Sequence, residues 1–222
     1  MYKVKSSELK VTAEVTDYST SFNQFIYDAI PSNTHCLDVG CSSGNLGSAL
    51  RDAKGCSIDG IELDSQAATI ARTRGYDNVF VLNLNHDLAS LPNVEQKYDV
   101  ITCADVLEHL IAPEQVIQRL SMLLKPDGIF IISLPNVAFL LNRLHLLLGN
   151  WDYKQYGILD RTHLRFYTIK SGCRMVESAG LKLVTLKPYN QFGALRYISP
   201  LDKWFPSLLA YQFLVVAKRA VD

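Results

Sequence analysis

The sequence predicts an α/β fold with a doubly wound sheet of about seven strands, mostly parallel, with an antiparallel last strand. Short apolar runs alternate with segments of helical periodicity through most of the chain, which is typical of helices covering both faces of a parallel sheet. The last two apolar runs have no clear helix between them, which indicates an antiparallel pair. The 222 residues suffice for one such domain with a sizeable core.

The first half of the chain contains four predicted strands. A helix is expected over residues 45–53, after the first strand. Another helix is expected after the second strand, with Ser65 as its N-cap and Gly75 as its C-terminal stop. In chain order, the four strands are HCLDV, CSIDGIEL, NVFVL and YDVITCA.

The second half changes its pattern after one further helix and strand. The helix APEQVIQRLSMLLKPDG begins at Pro113 and is expected to end at Pro126–Gly128, before the strand IFIISL. Residues 137–165 are aromatic and irregular. A helix with Thr168 as its N-cap follows, and then the strands LKLVTLKP and YQFLVVAKR. We therefore expect a single domain over residues 1–222, with an insertion around 137–167 that forms an acceptor pocket or a lid.

The amino-acid composition argues against several classes of protein. Lysine and arginine number 22, as do aspartate and glutamate, so the formal net charge is zero. This argues against a protein held mainly by nucleic-acid phosphate, which favours a basic face. The five cysteines include no C-x-x-C pair and lie mostly in apolar runs, which is typical of buried thiols in a reducing compartment. Without an apolar signal core or a run of about 20 apolar residues, a soluble cytoplasmic protein is expected.

The stretch LDVGCSSGNLG begins at Leu37 and places two glycines after the first strand. Gly40 and Gly44 lack a Cβ atom, so their backbone amides can approach a ligand closely. Glu62 ends the second strand at a spacing suited to accepting hydrogen bonds from ribose hydroxyls. The fingerprint G-x-G-x-x-G would need its first glycine at Ser42, which argues against a nicotinamide dinucleotide.

These motifs together resemble class I S-adenosylmethionine-dependent methyltransferases. LDVGCSSG resembles the first motif of that family, GIELD its ribose-binding strand end, and residues 98–136 its fourth and fifth strands. GNWDYKQYGILDRTHLRFYT is similar to a subgroup associated with glycan and cell-surface polysaccharide synthesis. The resemblance implies a Rossmann-like fold, S-adenosyl-L-methionine as methyl donor and S-adenosyl-L-homocysteine as product. Ser42 departs from the glycine usual at its position.

The resemblance also implies a set of cofactor-binding residues. Asp38 is expected to orient the glycine turn and to contact the cofactor's ammonium group directly or through water. Leu63 is expected to cover one adenine face, and Asn83, or alternatively Asp87, to accept from the adenine amino group. The full expected set is Asp38, Gly40, Cys41, Ser42, Ser43, Gly44, Glu62, Leu63, Asn83, Leu84, Cys103, Ala104 and Asp105.

The segment CADVLEHL offers a candidate catalytic residue, His109, at the end of the fourth strand. A neutral imidazole can take a proton from the methyl acceptor near pH 7. His109 could instead cap the following helix. In a third interpretation, Asp105, Glu108 and His109 hold a divalent cation with His163, as a similar cluster does in small-RNA 2′-O-methyltransferases. Our leading interpretation includes no metal.

The leading functional hypothesis is methyl transfer to a small-molecule acceptor, at an oxygen of a sugar or a related metabolite. Neither nucleic-acid binding nor a membrane span is expected, and the sequence does not indicate an oligomeric state. The alternatives are a metal-dependent RNA 2′-O-methyltransferase and a non-catalytic cofactor-binding scaffold. The residues expected to contact the acceptor are Trp151, Tyr153, Tyr156, Arg161, His163 and Arg165.

Overall fold

A computed structural model describes residues 22–91, 96–190 and 204–220 of the chain. The described residues include one seven-stranded sheet with the order β3-β2-β1-β4-β5-β7-β6. β7 runs antiparallel to both of its neighbours, and the other paired strands are parallel. The predicted fold class is therefore confirmed. The strands are β1 (His35–Val39), β2 (Ser57–Glu62), β3 (Asn78–Val81), β4 (Tyr98–Ala104), β5 (Leu124–Pro135), β6 (Leu181–Tyr189) and β7 (Gln212–Arg219).

Helices cover both faces of the sheet. The first three helices pack on one face, and the fourth and sixth pack on the other. Short 3₁₀ helices at Leu88–Ser90 and Leu107–His109 follow β3 and β4. The α-helices are α1 (Gln24–Ala29), α2 (Asn45–Lys54), α3 (Ser65–Thr73), α4 (Pro113–Ser121), α5 (Leu140–Leu147), α6 (Ile169–Ser178) and α7 (Pro206–Leu209).

The core divides into two layers because successive side chains of a strand point to opposite faces. In β1, Cys36 packs with the layer under α1–α3, and Leu37 packs with the layer under α4 and α6. Both side chains are almost fully buried. All five cysteines are free thiols, as the sequence predicts, and four are buried. A central strand buried on both faces explains the continuous apolar run of HCLDV.

Several predicted boundaries were wrong. Asp64, rather than Ser65, caps α3, because its carboxylate accepts from the backbone N–H groups of Gln66 and Ala67. The helix α4 ends at Ser121 instead of continuing to residues 126–128, because Leu124 already pairs with β4. The predicted cap Thr168 is confirmed, and it forms a capping box with Ser171.

The insertion after β5 has a small core of its own. Phe139, Ile158 and Leu159 are buried together, with Trp151 and Phe166 packed against them. The segment contains α5, although the sequence pattern predicted an irregular segment there. In the described part of the chain, no helix is both long enough and apolar enough to cross a membrane.

Candidate active site

The candidate site lies at the carboxyl ends of β1 and β4, where the strand order of the sheet reverses. Open α/β sheets bind their ligands at such a point, because the connections on either side diverge and leave a crevice. The turn after β1 is tied to β2, since the N–H groups of Gly40 and Cys41 both donate to the carbonyl of Ile61, at 2.8 and 3.1 Å.

The two glycines of the turn are required by packing as well as by backbone conformation. Gly40 and Gly44 have φ values of +73° and +84°. A Cβ atom on Gly40 would lie 2.5 Å from the side chain of Val106, and one on Gly44 would lie 2.9 Å from Ala71 and Tyr76. These contacts are with the protein itself. Close approach to a ligand is therefore not the only reason for glycine here.

Glu62, the last residue of β2, is hydrogen-bonded to the turn that follows β1. Its Oε2 accepts from the backbone N–H of Ser42 at 2.7 Å, and its Oε1 accepts from Leu63 and Asp64 at 2.8 and 2.9 Å. Ser42 adopts a φ of +49°, which is uncommon for a residue with a side chain. The carboxylate thus organises the turn. Its Oε1 already accepts two hydrogen bonds, and its Oε2 keeps a lone pair for a further donor.

Asp38 is a buried carboxylate beneath the turn. Its Oδ2 accepts from the hydroxyl of Tyr76 at 2.7 Å, and its Oδ1 accepts from Thr102 at 2.9 Å. Burial raises the pKa of Asp38 from 3.8 to about 6, although both hydroxyls act in the opposite direction and Glu62 adds a smaller increase. Burial destabilises the ionised form of Asp38, so a cation bound beside it would stabilise the carboxylate strongly.

Two cavities meet at Gly40. One is lined by Glu62, Leu63, Asn83 and Leu84, all expected to bind the cofactor, together with Asn85, Val106 and His109. The other is lined by the expected residues Asp38, Cys41, Ser42, Ser43 and Ala104, together with Phe22, Asn23 and Asn45.

Three expected cofactor residues, Gly44, Cys103 and Asp105, line neither of these two cavities. Cys103 has no exposed surface, because its thiol packs into the main core of the sheet. Its expected place beside the methionine part of the cofactor therefore stays a prediction that the thiol does not support. Asn83 is placed as expected, but its Oδ1 accepts from the N–H of Asn85 at 3.0 Å. The alternative residue Asp87 accepts from the N–H of Asn83, which turns its carboxylate back toward the loop.

A third cavity lies beside the other two, against the insertion. Asp105 lies at its floor with a φ of +53°. Its carboxylate accepts from the hydroxyl of Ser133 at 2.8 Å and from the amide of Gln212 at 3.0 Å. Burial raises the pKa of Asp105. The other lining residues are Glu108, His109, Pro135, Tyr156, Gly157, Asp160, His163 and Tyr211.

Glu108 is a fully buried acid in the wall of this third cavity. Neither of its carboxyl oxygens has a hydrogen-bond partner among the described residues. Burial raises the pKa of Glu108 well above 4.5, and the charge of Asp105 raises it further. The nearest basic atom recorded is Nε2 of His163, at 3.9 Å from Oε1. Buried polar groups usually have a partner, so this carboxyl is a candidate ligand for a bound group.

The imidazoles of His109 and His163 both line this cavity and contact each other edge to face, with ring centroids 4.8 Å apart. Nδ1 of His109 lies 3.2 Å from the carbonyl of Thr162, and Nδ1 of His163 lies 3.1 Å from the carbonyl of Ile158. A carbonyl only accepts, so each Nδ1 carries the hydrogen and each Nε2 keeps its lone pair. Burial lowers the pKa of His163.

The helix-capping interpretation of His109 was wrong. The N-cap of α4 is Ala112, which has no side-chain capping bond. The imidazole of His109 instead contacts the insertion through Thr162.

The geometry allows a cation site at Glu108, His109 and His163. One ligand atom from each residue lies within 4.8 Å of the others. The donor set fits a divalent ion, since one nitrogen from each of two imidazoles and an unpartnered carboxyl oxygen converge there. Asp105, the fourth residue of the sequence cluster, is already engaged by Ser133 and Gln212.

The structure separates the residues expected to contact the acceptor. Tyr156 and His163 line the third cavity. Trp151 and Tyr153 instead pack near Phe166, at centroid distances of 5.5 and 6.3 Å, and do not line it. Two arginines also lie outside the lining: Arg161 is exposed, and Arg165 donates to the carbonyl of Ile111.

Sequence analysis missed three residues that shape the site: Tyr76, Asn85 and Gln212. Asn85 accepts from the N–H of Ile111 at 2.8 Å, which ties the loop after β3 to the one after β4. Gln212 is an amide directly before the apolar run FLVVA of β7, and that pattern could have revealed it. No comparable sequence pattern indicates that Tyr76 belongs to the site, because its hydrogen bond to Asp38 depends on how α3 packs against the sheet.

The fold is similar to that of S-adenosylmethionine-dependent methyltransferases of known structure. The solved structure of a SAM-dependent methyltransferase from Archaeoglobus fulgidus has a similar fold, with a TM-score of 0.65 and 17% sequence identity. The similarity covers 88% of this chain and 90% of that one.

A family model described as a methyltransferase domain matches residues 15–186. The chain belongs to this methyltransferase family, so its methyl donor is S-adenosylmethionine and its by-product S-adenosylhomocysteine. It is 27% identical over 180 residues to the ubiquinone biosynthesis O-methyltransferase of Coxiella burnetii (strain Dugway 5J108-111), covering 74% of this chain and 73% of the relative. The enzyme of that name from Haemophilus ducreyi (strain 35000HP / ATCC 700724) is 36% identical over 110 residues, covering 45% and 44%.

Proposed function

We propose that this methyltransferase transfers the methyl group to a hydroxyl oxygen of a small molecule bound in the third cavity. One observation carries the proposal: His109 lines both this cavity and the cavity beside Glu62. An acceptor hydroxyl must lose its proton next to the cofactor's methyl group, and His109 borders both spaces. Nε2 of His109 is free to accept that proton, since Nδ1 faces the carbonyl of Thr162.

The cofactor is assigned to the two cavities that meet at Gly40. Glu62 accepts hydrogen bonds from the ribose hydroxyls, and Asp38 faces the methionine ammonium. Leu63 is 64% exposed beside Glu62, so it has a free apolar surface to place against adenine. The remaining cofactor residues are those of the expected set that line these cavities: Gly40, Cys41, Ser42, Ser43, Asn83, Leu84 and Ala104.

The acceptor is proposed to be an aromatic hydroxyl rather than a sugar. The relatives named above are O-methyltransferases of ubiquinone biosynthesis, and they lend no support to a glycan-associated subgroup. Tyr156 and Tyr211 supply aromatic surface to the third cavity, and Asp105, Asp160 and Gln212 supply polar groups. A phenol also ionises more readily than a sugar hydroxyl, so one imidazole suffices as base.

The test is methyl transfer from labelled S-adenosylmethionine to paired panels of catechols and sugars. His109→Ala should lower kcat roughly 10²–10⁴-fold while the Kd of S-adenosylmethionine stays within about twofold. Arg161→Ala, an exposed change in the insertion, is the matched control. Unchanged kcat in His109→Ala would contradict the role of the base, and turnover of sugars alone would contradict the acceptor class.

A metal-assisted form of the same transfer is a second candidate, because the carboxyl of Glu108 has no described hydrogen-bond partner and lies within 4.8 Å of a nitrogen from each of His109 and His163. A cation held there would polarise the acceptor oxygen. If this form is correct, Mg²⁺ or Mn²⁺ should raise the melting temperature of the wild type but not of Glu108→Gln. Turnover that is unaffected by a chelator, with no thermal shift, would exclude this form. It would also remove the basis for the RNA 2′-O-methyltransferase alternative.

A further inference from the structure

Gln212 is a polar residue that the fold brings to the third cavity. It is the first residue of β7 and pairs with Pro135, the last residue of β5. Because β7 is antiparallel to β5, its first residue lies at the carboxyl ends of the parallel strands, where open α/β sheets bind their ligands. The next residue, Phe213, is fully buried in the core. Gln212 is 8% exposed, and it lines the third cavity.

One end of the Gln212 side chain is fixed by Asp105. Its Nε2 donates to Oδ2 of Asp105 at 3.0 Å. Asp105 is itself held by Ser133, which donates to its Oδ1 at 2.8 Å and accepts from its backbone N–H at 3.1 Å. The nitrogen and the oxygen of an amide lie on different sides of one carbon, so this bond directs Oε1 of Gln212 away from Asp105.

The amide oxygen of Gln212 is buried and accepts no hydrogen bond from any described residue. The described residues contain four such buried side-chain atoms. Three of the four belong to residues that line the third cavity: Oε1 of Gln212 and the two carboxyl oxygens of Glu108. Buried polar atoms normally have a partner. Their concentration around one cavity indicates that the partners belong to a molecule bound there.

The two unpartnered groups differ in what they require. A carboxyl such as that of Glu108 accepts when it is ionised and can donate when it is protonated. The amide oxygen of Gln212 only accepts, so it requires an O–H or N–H donor at every pH. A water molecule can supply the donor when no acceptor is bound. An acceptor that displaces this water must replace its hydrogen bond.

The hydroxyl that is methylated cannot be this donor. A hydroxyl has one hydrogen, and in the proposed function that hydrogen goes to Nε2 of His109, which lines both the third cavity and the cavity beside Glu62. Gln212 lines the third cavity and neither of the two cofactor cavities. The partner of Gln212 is therefore a different group of the acceptor.

We propose that Gln212 is a specificity-determining residue, which selects acceptors that carry a second hydrogen-bond donor besides the hydroxyl that is methylated. The inference rests on the proposed function, because that function places the acceptor in the third cavity. An acceptor without the second donor would displace water and leave Oε1 of Gln212 unpaired. Sites that hydrogen-bond a substrate hydroxyl reject the analogue that lacks it for the same reason.

The test compares kcat/KM for three sets of phenols that carry a hydroxyl, an amino or a methoxy group at matched ring positions. A hydroxyl or an amino group can donate a hydrogen bond, whereas a methoxy group only accepts. The wild type should prefer the phenols with a second donor by roughly 10–100-fold. Gln212→Met, which has an apolar side chain of similar length, should reduce this preference to about threefold or less.

Ser133→Ala is the matched control, because it removes the other side-chain bond to Asp105 and leaves the amide of Gln212 in place. It should lower kcat/KM for all three sets by a similar factor, so that the preference remains. Thermal melts and the Kd of S-adenosylhomocysteine show whether the variants are folded. If Gln212→Met does not fold, Gln212→Leu replaces it.

Equal kcat/KM of the wild type for the three sets, with turnover still lost in His109→Ala, overturns the role of Gln212 and leaves the proposed function intact. A preference that persists in the Gln212 variant, or one that Ser133→Ala abolishes as well, also overturns this role. The absence of methyl transfer to any phenol overturns the proposed function, and the inference fails with it.

Discussion

The raised pKa of Asp38 makes cofactor binding depend on pH in a predictable way. In the absence of a ligand its carboxyl titrates at about 6, chiefly because it is buried. The α-amino group of S-adenosylmethionine stays protonated below pH 7. If this ammonium binds beside Asp38, binding requires the ionised carboxylate, and affinity must fall as pH falls through about 6.

The magnitude follows from the fraction of Asp38 that is ionised. One pH unit below a pKa of about 6, the apparent Kd of S-adenosylmethionine should be about tenfold higher than at pH 7.5. Two units below, it should be about a hundredfold higher. Binding near pH 5.5 should also release close to one proton, which calorimetry in buffers of different ionisation enthalpy detects.

Folding stability should respond to pH in the opposite direction. Because the pKa of Asp38 is raised from 3.8 to about 6, the folded protein binds more protons than the unfolded chain between these values. The contribution of Asp38 to the free energy of unfolding is therefore present at low pH and is lost as pH rises across this window. This pKa difference of about two units corresponds to about 3 kcal/mol in the free energy of unfolding.

Isothermal titration calorimetry from pH 4.5 to 8 on the wild type and Asp38→Asn measures the effect on cofactor affinity. Urea unfolding of the same two proteins over this pH range measures the effect on stability. The pH dependence near 6 should be absent in Asp38→Asn. Thr102→Val removes a donor to the carboxylate and should move the midpoint to higher pH. A wild-type affinity that is flat across pH 6, or a midpoint unchanged in both variants, would refute the reasoning.

Three further predictions concern the turn itself. Glu62→Ala should weaken S-adenosylmethionine binding by about 1.5–3 kcal/mol in calorimetry, since a charged acceptor is lost, and unchanged affinity would remove the ribose assignment. Ser42→Gly should unfold in urea within about 1 kcal/mol of the wild type, whereas Ser42→Val should lose about 1–3 kcal/mol, because a β-branched residue is strained at a φ of +49°. Gly47→Ala should destabilise by about 1–3 kcal/mol relative to Ser48→Ala, because its Cβ would lie 2.3 Å from the ring of Tyr76; equal melts would contradict that contact.

The parts of the fold that the sequence predicted correctly are those with strong local signals. Apolar runs such as HCLDV and YQFLVVAKR lie in strands, and the capping residue Thr168 lies where its helix begins. The error at the end of α4 has a clear cause. Leucines continue the helical pattern beyond Ser121, but pairing of Leu124 with Tyr98 places it in a strand. Local periodicity cannot indicate that a distant strand is available as a partner.

The proximity of the residues proposed to bind the cofactor was easier to predict than that of the residues proposed to bind the acceptor. The expected residues Asp38, Gly40 and Glu62 lie at the ends of two neighbouring parallel strands, so spacing along the chain fixes their proximity. In contrast, Asp105 is held by Gln212, which is 107 positions away and on an antiparallel strand. Sequence spacing carries no information on such a contact.

The insertion has a further consequence for the proposed base. His109 reaches its position because Nδ1 bonds to the carbonyl of Thr162, and Glu108 accepts backbone N–H groups from Leu164 and Arg165 through its own carbonyl. The segment that lines the third cavity, where we propose that the acceptor binds, is therefore the same segment that orients the imidazole. A substitution that loosens the insertion should impair proton transfer even without touching the acceptor. The proposed function therefore implies that acceptor specificity and base geometry are coupled, because both would depend on the packing of residues 137–167 against the loop after β4.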